Sequence, residues 1–329
     1  MNVLLTIVIA AYNSEKTIER SLQSLLPFLS QGADVIVIDD GSTDKTYEVV
    51  EKFCMQEKRV SILKQEHNGS ASARNLGLQN VKSKFVIFCD ADDELILFNL
   101  SMLNSLDSDF VICNYVYVTS TKINQIVRNN ISNEASNVFE FSSEKSRRMM
   151  NQVGFWRYVY RTNFLKEKQI RFVGTLNELR SGYFVLDDYF FLLHVLSSYN
   201  SGVSWDIIVY KYFENTAANL HRFRKQSRYM ARAAMIQIDE SYERLPLEGR
   251  LWYREELRRQ LLSSFQAIFL RDAYLTWWEF CHAIWKLGDK LGASNLKRGL
   301  IDTSLITWYL IRKTAVKMRD SFHSMKQIF

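Results

Sequence analysis

Four short apolar runs punctuate the first 95 residues, and each ends in polar or acidic positions. They are Leu4–Ala11 (LLTIVIAA), Val35–Ile38 (VIVI), Val60–Leu63 (VSIL) and Phe85–Cys89 (FVIFC). The first, second and fourth are continuous apolar runs rich in β-branched residues and read as strands buried on both faces, as in a parallel sheet; Val60–Leu63 reads as a short strand. The intervening stretches change to helical spacing. Ile18, Leu22, Leu25 and Leu26 share one face of a helix that Ser14 can cap, with Glu15 in its first turn and Pro27 perturbing its last. A second helix starts at Ser42 or Thr43 and runs to about Lys58, and a third starts in the small residues of Gly69–Asn75. Strand and helix thus alternate through residue 93, which predicts a doubly wound α/β sheet of the nucleotide-binding kind.

The strand ends carry the chemistry. Phe85–Cys89 runs into Asp90-Ala91-Asp92-Asp93, three carboxylates in four residues. Such a cluster repels itself unless something positive neutralises it, and it lies where open α/β sheets bind ligands. Two Asp at i and i+2 can offer hard oxygen ligands to Mg²⁺ or Mn²⁺, ions that take carboxylates together with substrate phosphates. The plainer reading is a solvated acidic turn, with an Asp capping a helix over Glu94-Leu95-Ile96. Small residues at Gly69–Ala73 permit close backbone approach, and a helix N-terminus favours anions. Neither GxGxxG nor GxxxxGK[ST] occurs, which argues against a dinucleotide enzyme or a P-loop NTPase.

Composition alters this picture in two places. Four widely spaced cysteines, without CxxC, fit a reducing compartment and argue against structural zinc. No apolar run approaches the roughly 18 residues of a spanning helix, and Leu4–Ala11 reads as a strand, not a signal peptide. Charge is divided unevenly. From Arg222 onward there are 20 Lys and Arg against 11 Asp and Glu, +9, whereas residues 1–221 hold 22 and 25, −3. The basic third reads as helices over Arg224–Arg244, Leu251–Phe269, Trp277–Leu291 and about Ser304–Arg319, with Trp252, Trp277, Trp278, Trp285 and Trp308 among the cations. Three roles compete for it: a helical cap or oligomer interface, an anionic membrane surface, and, least favoured because no recognition motif accompanies the charge, nucleic acid.

IVIAAYN, VIDDGSTDKT, HNGSASARNLGL and FCDADDEL, in this order and spacing, resemble the nucleotide-diphospho-sugar domain of the inverting glycosyltransferases of family 2, which have the GT-A fold. GFWRYVYRTNFLKEKQIRF (154–172) resembles that family's segment after the metal site, and VLDDYFFLLHVL (185–196) its "ED" helix. The likeness covers roughly residues 3–222, with Ala10 where the family often has Pro and Asp187 where Glu is usual. It implies a GT-A catalytic domain over 1–222, a doubly wound, mostly parallel sheet with helices on both faces, followed by a C-terminal helical extension over 223–329.

The resemblance also distributes roles. Ala11 and Tyr12 fall at the nucleoside. Asp40 falls at the base, where a carboxylate accepts from an imide N–H such as that of uracil, with Asp39 buttressing the turn. Arg74 and Asn75 lie beside the phosphates. Asp92 is the first-choice metal ligand, Asp90 contacts ribose or a metal-bound water, and Asp93 can exchange roles with Asp92. Asp188 is the candidate base, with Asp187 as its substitute, although two carboxylates opening a helix are also ordinary dipole partners. His221 is a late diphosphate contact or a plain surface histidine. Trp156 is a core or acceptor-floor aromatic. The function so implied is transfer of one sugar, with inversion, from a nucleotide-diphosphate donor, UDP by preference, to a glycan or lipid-linked acceptor. It uses Mg²⁺ or Mn²⁺, serves cell-surface polysaccharide synthesis, and is cytoplasmic or peripheral on the inner membrane face. The alternatives are an inactive nucleotide-sugar-binding protein, which the intact carboxylates oppose, and a metal-dependent nucleotidyltransferase, which would need a Gly/Arg-rich loop where Ala10-Ala11-Tyr12-Asn13 stands.

Overall fold

The structure is a computed structural model that describes residues 3–119, 125–127, 138–140, 154–172, 187–213, 247 and 249–251. The basic helices expected beyond Arg222, and His221, lie outside the described residues, apart from a helical fragment at 247 and 249–251.

Three parallel pairings build the N-terminal half: β1 (Leu5–Ala11) with β2 (Asp34–Asp39), β2 with β3 (Val60–Lys64), and β1 with β4 (Phe85–Asp90). β1 is central because it is apolar on both faces, with Leu5, Ile7, Val8 and Ile9 fully buried. Helices α1 (Ile18–Ser30), α2 (Thr46–Gln56) and α3 (Ser70–Asn80) make the crossovers. α3 lies close on β1, since a Cβ at Gly77 would collide with Val8 Cγ1.

Local details depart from the pattern-based expectation. Ser14 does not cap α1 with its side chain; its carbonyl accepts from Thr17 and Ile18 N–H, and Pro27 sits exposed inside a helix that continues to Ser30. A proline lacks the N–H that would meet the carbonyl four residues earlier, and on the solvent side water can take its place. Glu94-Leu95 is not a helix start but a short strand, β5.

The other half is mixed. Here lie β6 (Phe110–Val118), β7 (Gln125–Val127), β8 (Val138–Glu140), β9 (Tyr158–Arg161) and β10 (Ser201–Phe213). Among the described residues one sheet runs β3-β2-β1-β4-β9-β6-β10-β5, with β7 on β6 and β8 on β10. β9 is antiparallel to both its neighbours, whereas β6 and β10 are parallel over eight paired positions. Helices α4 (Thr162–Glu167) and α5 (Asp187–Ser198) and two 3-10 turns, Leu100–Leu103 and Phe155–Arg157, lie among these strands.

An aromatic core joins the halves. Phe88 of β4 meets Phe172, Phe191 and Tyr160 edge-on at 5.0, 5.8 and 6.1 Å. Phe172 and Phe191 stack at 4.0 Å. Burying such a ring contributes about 1.5–3 kcal/mol, and aromatic pairing adds to that. Phe191 stands on α5 one turn after Asp188, so this packing fixes where α5 begins its path over the sheet.

Candidate active site

The strand order reverses at β1, flanked by β2 on one side and β4 on the other, and its carboxyl edge is therefore the topological switch point. Register aligns Ala11 with Asp39 and Ala10 with Asp90. The loops after these strands consequently gather at one place.

On the β2 side, Asp40 is buried and holds the β3–α3 loop. Its Oδ1 accepts from Gln65 Nε2 (2.6 Å) and Asn68 N–H (2.8 Å), and its Oδ2 from Gly69 N–H (2.9 Å) and contacts His67 Nδ1 (2.9 Å). A carboxylate has about four acceptor positions, and all are occupied within the chain. Gly41, at φ +72°, is required here, since a Cβ would lie 2.8 Å from His67 N. Asp39 is buried as well, with Oδ1 accepting from Ser42 N–H at 3.3 Å, as a buttress of the turn would. Tyr12 is 42% exposed and stacks on His67 with centroids 4.0 Å apart, a half-open aromatic face beside Ala11.

On the β4 side, Arg74 is the junction. Its Nη2 donates to Asp90 Oδ1 at 2.7 Å, and its Nη1 lies 3.5 Å from Asp188 Oδ1. The guanidinium is buried against Phe155 and Phe172, 4.5 and 5.3 Å from their centroids. Three charges from α3, β4 and α5 thus meet, and the cation between them offsets the repulsion expected of the carboxylates. Asp188 is half-buried at the start of α5. Asn75 does something different from its neighbour. Its amide donates to Phe172 O (2.8 Å) and accepts from Phe172 N–H (2.9 Å), which ties α3 to the segment after α4.

The acidic turn has an inside and an outside. Asp93 points inward, 1% exposed; its Oδ2 accepts from Tyr210 Oη (2.9 Å) and its Oδ1 from Phe213 N–H (2.8 Å). Burial first, then the charges of Asp90 and Asp92, push its carboxyl up to about 8. The same Tyr210 hydroxyl accepts from Asp90 N–H at 3.0 Å. Asp92 is half-buried on the other side of the turn, its carbonyl accepting from Arg20 Nη2. Asp93 is thus engaged in the core, whereas Asp90 and Asp92 lie toward the surface of the turn. Among the described residues no group of three or more His, Cys, Asp or Glu could hold an ion by itself. That donor set fits an ion of the Mg²⁺ or Mn²⁺ kind, held by one or two carboxylates and completed by substrate phosphates.

Three participants carry no signal in the sequence. Arg20 is one charge on a helix face, Tyr210 one aromatic in a strand, and His67 lies within HNGS without a pattern that assigns it a partner. Trp156 is 6% exposed and stacked on both Tyr210 (4.2 Å) and Tyr212 (5.6 Å), a core aromatic. Asp187 opens α5 as expected, but its side chain, like His221, is outside what is described.

Residues 6–168 match the family model described as Glycosyl transferase family 2. Glycosyltransferase GlyG of Streptococcus pneumoniae serotype 4 is 33% identical over 120 residues, 35% of this chain and 40% of that protein. The minor teichoic acid biosynthesis protein GgaA of Bacillus subtilis is 25% identical over 278 residues, 82% of this chain and 55% of that protein. The chain thus spans about half the length of these relatives, or less. Among solved structures, S. aureus TarS 1-349 in complex with UDP superposes with a TM-score of 0.61 at 23% identity, covering 88% of this chain and 83% of that one. The likeness agrees with a GT-A arrangement of the described sheet.

Proposed function

The chain belongs to glycosyl transferase family 2, and on that premise we propose that it moves one sugar from a UDP-linked donor, with inversion, onto a cell-surface polymer or its lipid-linked precursor. The observation that carries this reading is Arg74 between Asp90 and Asp188 at the switch point. It sets a donor-side carboxylate and the proposed base on the two terminal nitrogens of one guanidinium. Relatives named for teichoic acid biosynthesis support a wall-polymer acceptor.

In this reading Asp188 takes the acceptor hydroxyl's proton while that oxygen attacks the anomeric carbon. The bond from that carbon to the diphosphate oxygen breaks, and the electron pair leaves with UDP. A positioned carboxylate of this kind contributes about 10²–10⁴-fold. Arg74 Nη1, 3.5 Å from Asp188 Oδ1, holds that carboxylate in place beside the donor-side Asp90. Asp92, with Asp90 behind it, would hold a divalent cation; when bound, that ion neutralises charge gathering on the leaving diphosphate. Tyr12 offers its open face to the base. Asp40 supports uridine if the base N3–H displaces the Gln65 amide from Oδ1, the one side-chain amide among its partners; the UDP complex of TarS is consistent with that choice.

The direct test measures UDP release from UDP-sugars with and without acceptor polymer, in EDTA and in Mn²⁺, together with anomeric configuration of the product by NMR. Retained configuration removes direct displacement. Equal turnover in EDTA removes the cation. Preference for GDP over UDP in a competition series removes the Asp40 contact.

A further inference from the structure

Arg20 stands on α1, 72 residues before the acidic turn that it touches. Its side chain is 43% exposed, yet the guanidinium is engaged at three points. Nη2 donates to the Asp92 carbonyl, Nε lies 3.2 Å from Glu94 Oε1, and Cζ lies 3.8 Å from the centroid of the Phe213 ring. One side chain thereby joins the peptide of Asp92, the first residue of β5 and the last residue of β10.

An exposed Arg–Glu pair alone contributes little, and Glu94 has a second cation. Lys211 Nζ lies 3.0 Å from Glu94 Oε2 and 4.9 Å from the Phe213 centroid. Without Arg20, Glu94 stays paired and the positive charge beside Phe213 is partly kept. The donor on the Asp92 carbonyl is what Arg20 adds. The opposite side of the turn is already secured, because Phe213 N–H and Tyr210 Oη hold Asp93 and Ser24 Oγ accepts from Leu95 N–H at 3.2 Å. In the outward half, Asp93 N–H donates to the Asp90 carbonyl at 3.1 Å, and Arg20 reaches the other end of the same peptide, the Asp92 carbonyl.

We infer that Arg20 is a positioning residue of the donor site: it clamps the Asp92 peptide so that the Asp92 carboxylate meets a divalent cation without reorganising the turn. The inference rests on the reading of Asp92 as the metal ligand. Groups that orient a ligand from behind typically account for about 10–100-fold in metal affinity. The planar fork of arginine serves the carbonyl and Glu94 together, whereas the ammonium of lysine is a point charge on a flexible stem. Charge and geometry therefore separate in one substitution.

The experiment titrates Mn²⁺ into the full-length protein at saturating UDP and reads free Mn²⁺ by electron paramagnetic resonance. Wild type is compared with Arg20→Lys, Arg20→Met and Lys211→Met, and thermal unfolding without metal checks each fold. Both Arg20 variants are expected to bind Mn²⁺ about tenfold or more weakly, with Lys little better than Met and Lys211→Met showing a smaller shift. Wild-type Mn²⁺ affinity in a folded Arg20→Lys overturns the inference, because charge alone then suffices. If Arg20→Met does not fold, Arg20→Lys alone decides. A wild type that binds UDP but no Mn²⁺ overturns the Asp92 reading and the inference with it; a wild type that binds Mn²⁺ beside equally competent Arg20 variants overturns the role of Arg20 alone.

Discussion

The two halves of the sheet assemble their share of the site in opposite ways. In the β1–β4 half, Ala11, Tyr12, Asp40, Asp90 and Asp92 end their strands or follow them by a residue or two, and they converge because parallel strands end together. In the β6–β9–β10 half nothing is local. Asp188 reaches Arg74 across 114 positions of chain, and Tyr210 reaches Asp93 across 117. The first half holds the site by register, the second by packing: the ring stack of Phe172 on Phe191 and the buried hydroxyl of Tyr210. Damage to the first should appear as lost donor binding. Damage to the second should appear as lost transfer or lost stability.

The largest effect tests that division at Asp188. Asp188→Asn should bind UDP nearly as wild type and lose transfer by about 10²–10⁴-fold, read by calorimetry beside a turnover assay. Normal transfer would remove Asp188 from the chemistry and direct attention to Asp187. Next, Asp92→Ala should lose the Mn²⁺-dependent part of UDP affinity while its unfolding temperature in EDTA matches wild type. If UDP affinity is the same in EDTA and Mn²⁺ in the parent protein, the metal assignment fails at its root.

Smaller effects probe the packing side. Tyr210→Phe leaves the Asp90 N–H and the Asp93 carboxyl without their shared hydroxyl, a loss of about 1–3 kcal/mol for buried groups left unsatisfied. Chemical denaturation should register it as a lower midpoint with an unchanged slope. Unaltered stability would mean that water replaces the hydroxyl and that the turn is held otherwise. Asn75→Ala should lower stability by about 1–2 kcal/mol through its two main-chain hydrogen bonds, with UDP affinity little affected. A tenfold loss of UDP affinity at full stability would return Asn75 to the phosphates. The smallest expected effect concerns the basic region beyond Arg222. Each cation near an anionic surface adds about 1 kcal/mol, screened by salt. Flotation with anionic but not neutral liposomes at low salt would support membrane association, and no flotation with either would favour a cap or an oligomer interface.

What the sequence by itself determined was the order of elements and the identity of the acidic turn. The continuous apolar runs of β1, β2 and β4 became inner strands, the run broken by Ser61 became the edge strand β3, and all four begin and end within a residue or two of where their runs do. Ligand chemistry at those ends followed, because a parallel strand's carboxyl end and the next loop are fixed by local chain direction. Local signals could not tell the roles of adjacent residues apart. Asp92 and Asp93 are chemically identical neighbours; which one turns into the core depends on a tyrosine hydroxyl and a main-chain N–H from β10. Arg74 and Asn75 look equally placed for phosphate, yet one spans two carboxylates and the other ties down Phe172. Arg20 had no pattern to reveal it, since its partners lie on a turn and a strand far along the chain. Only tertiary structure decides such pairings, because a hydrogen bond depends on distance and direction in space, and sequence spacing carries neither once the partners stand on different elements.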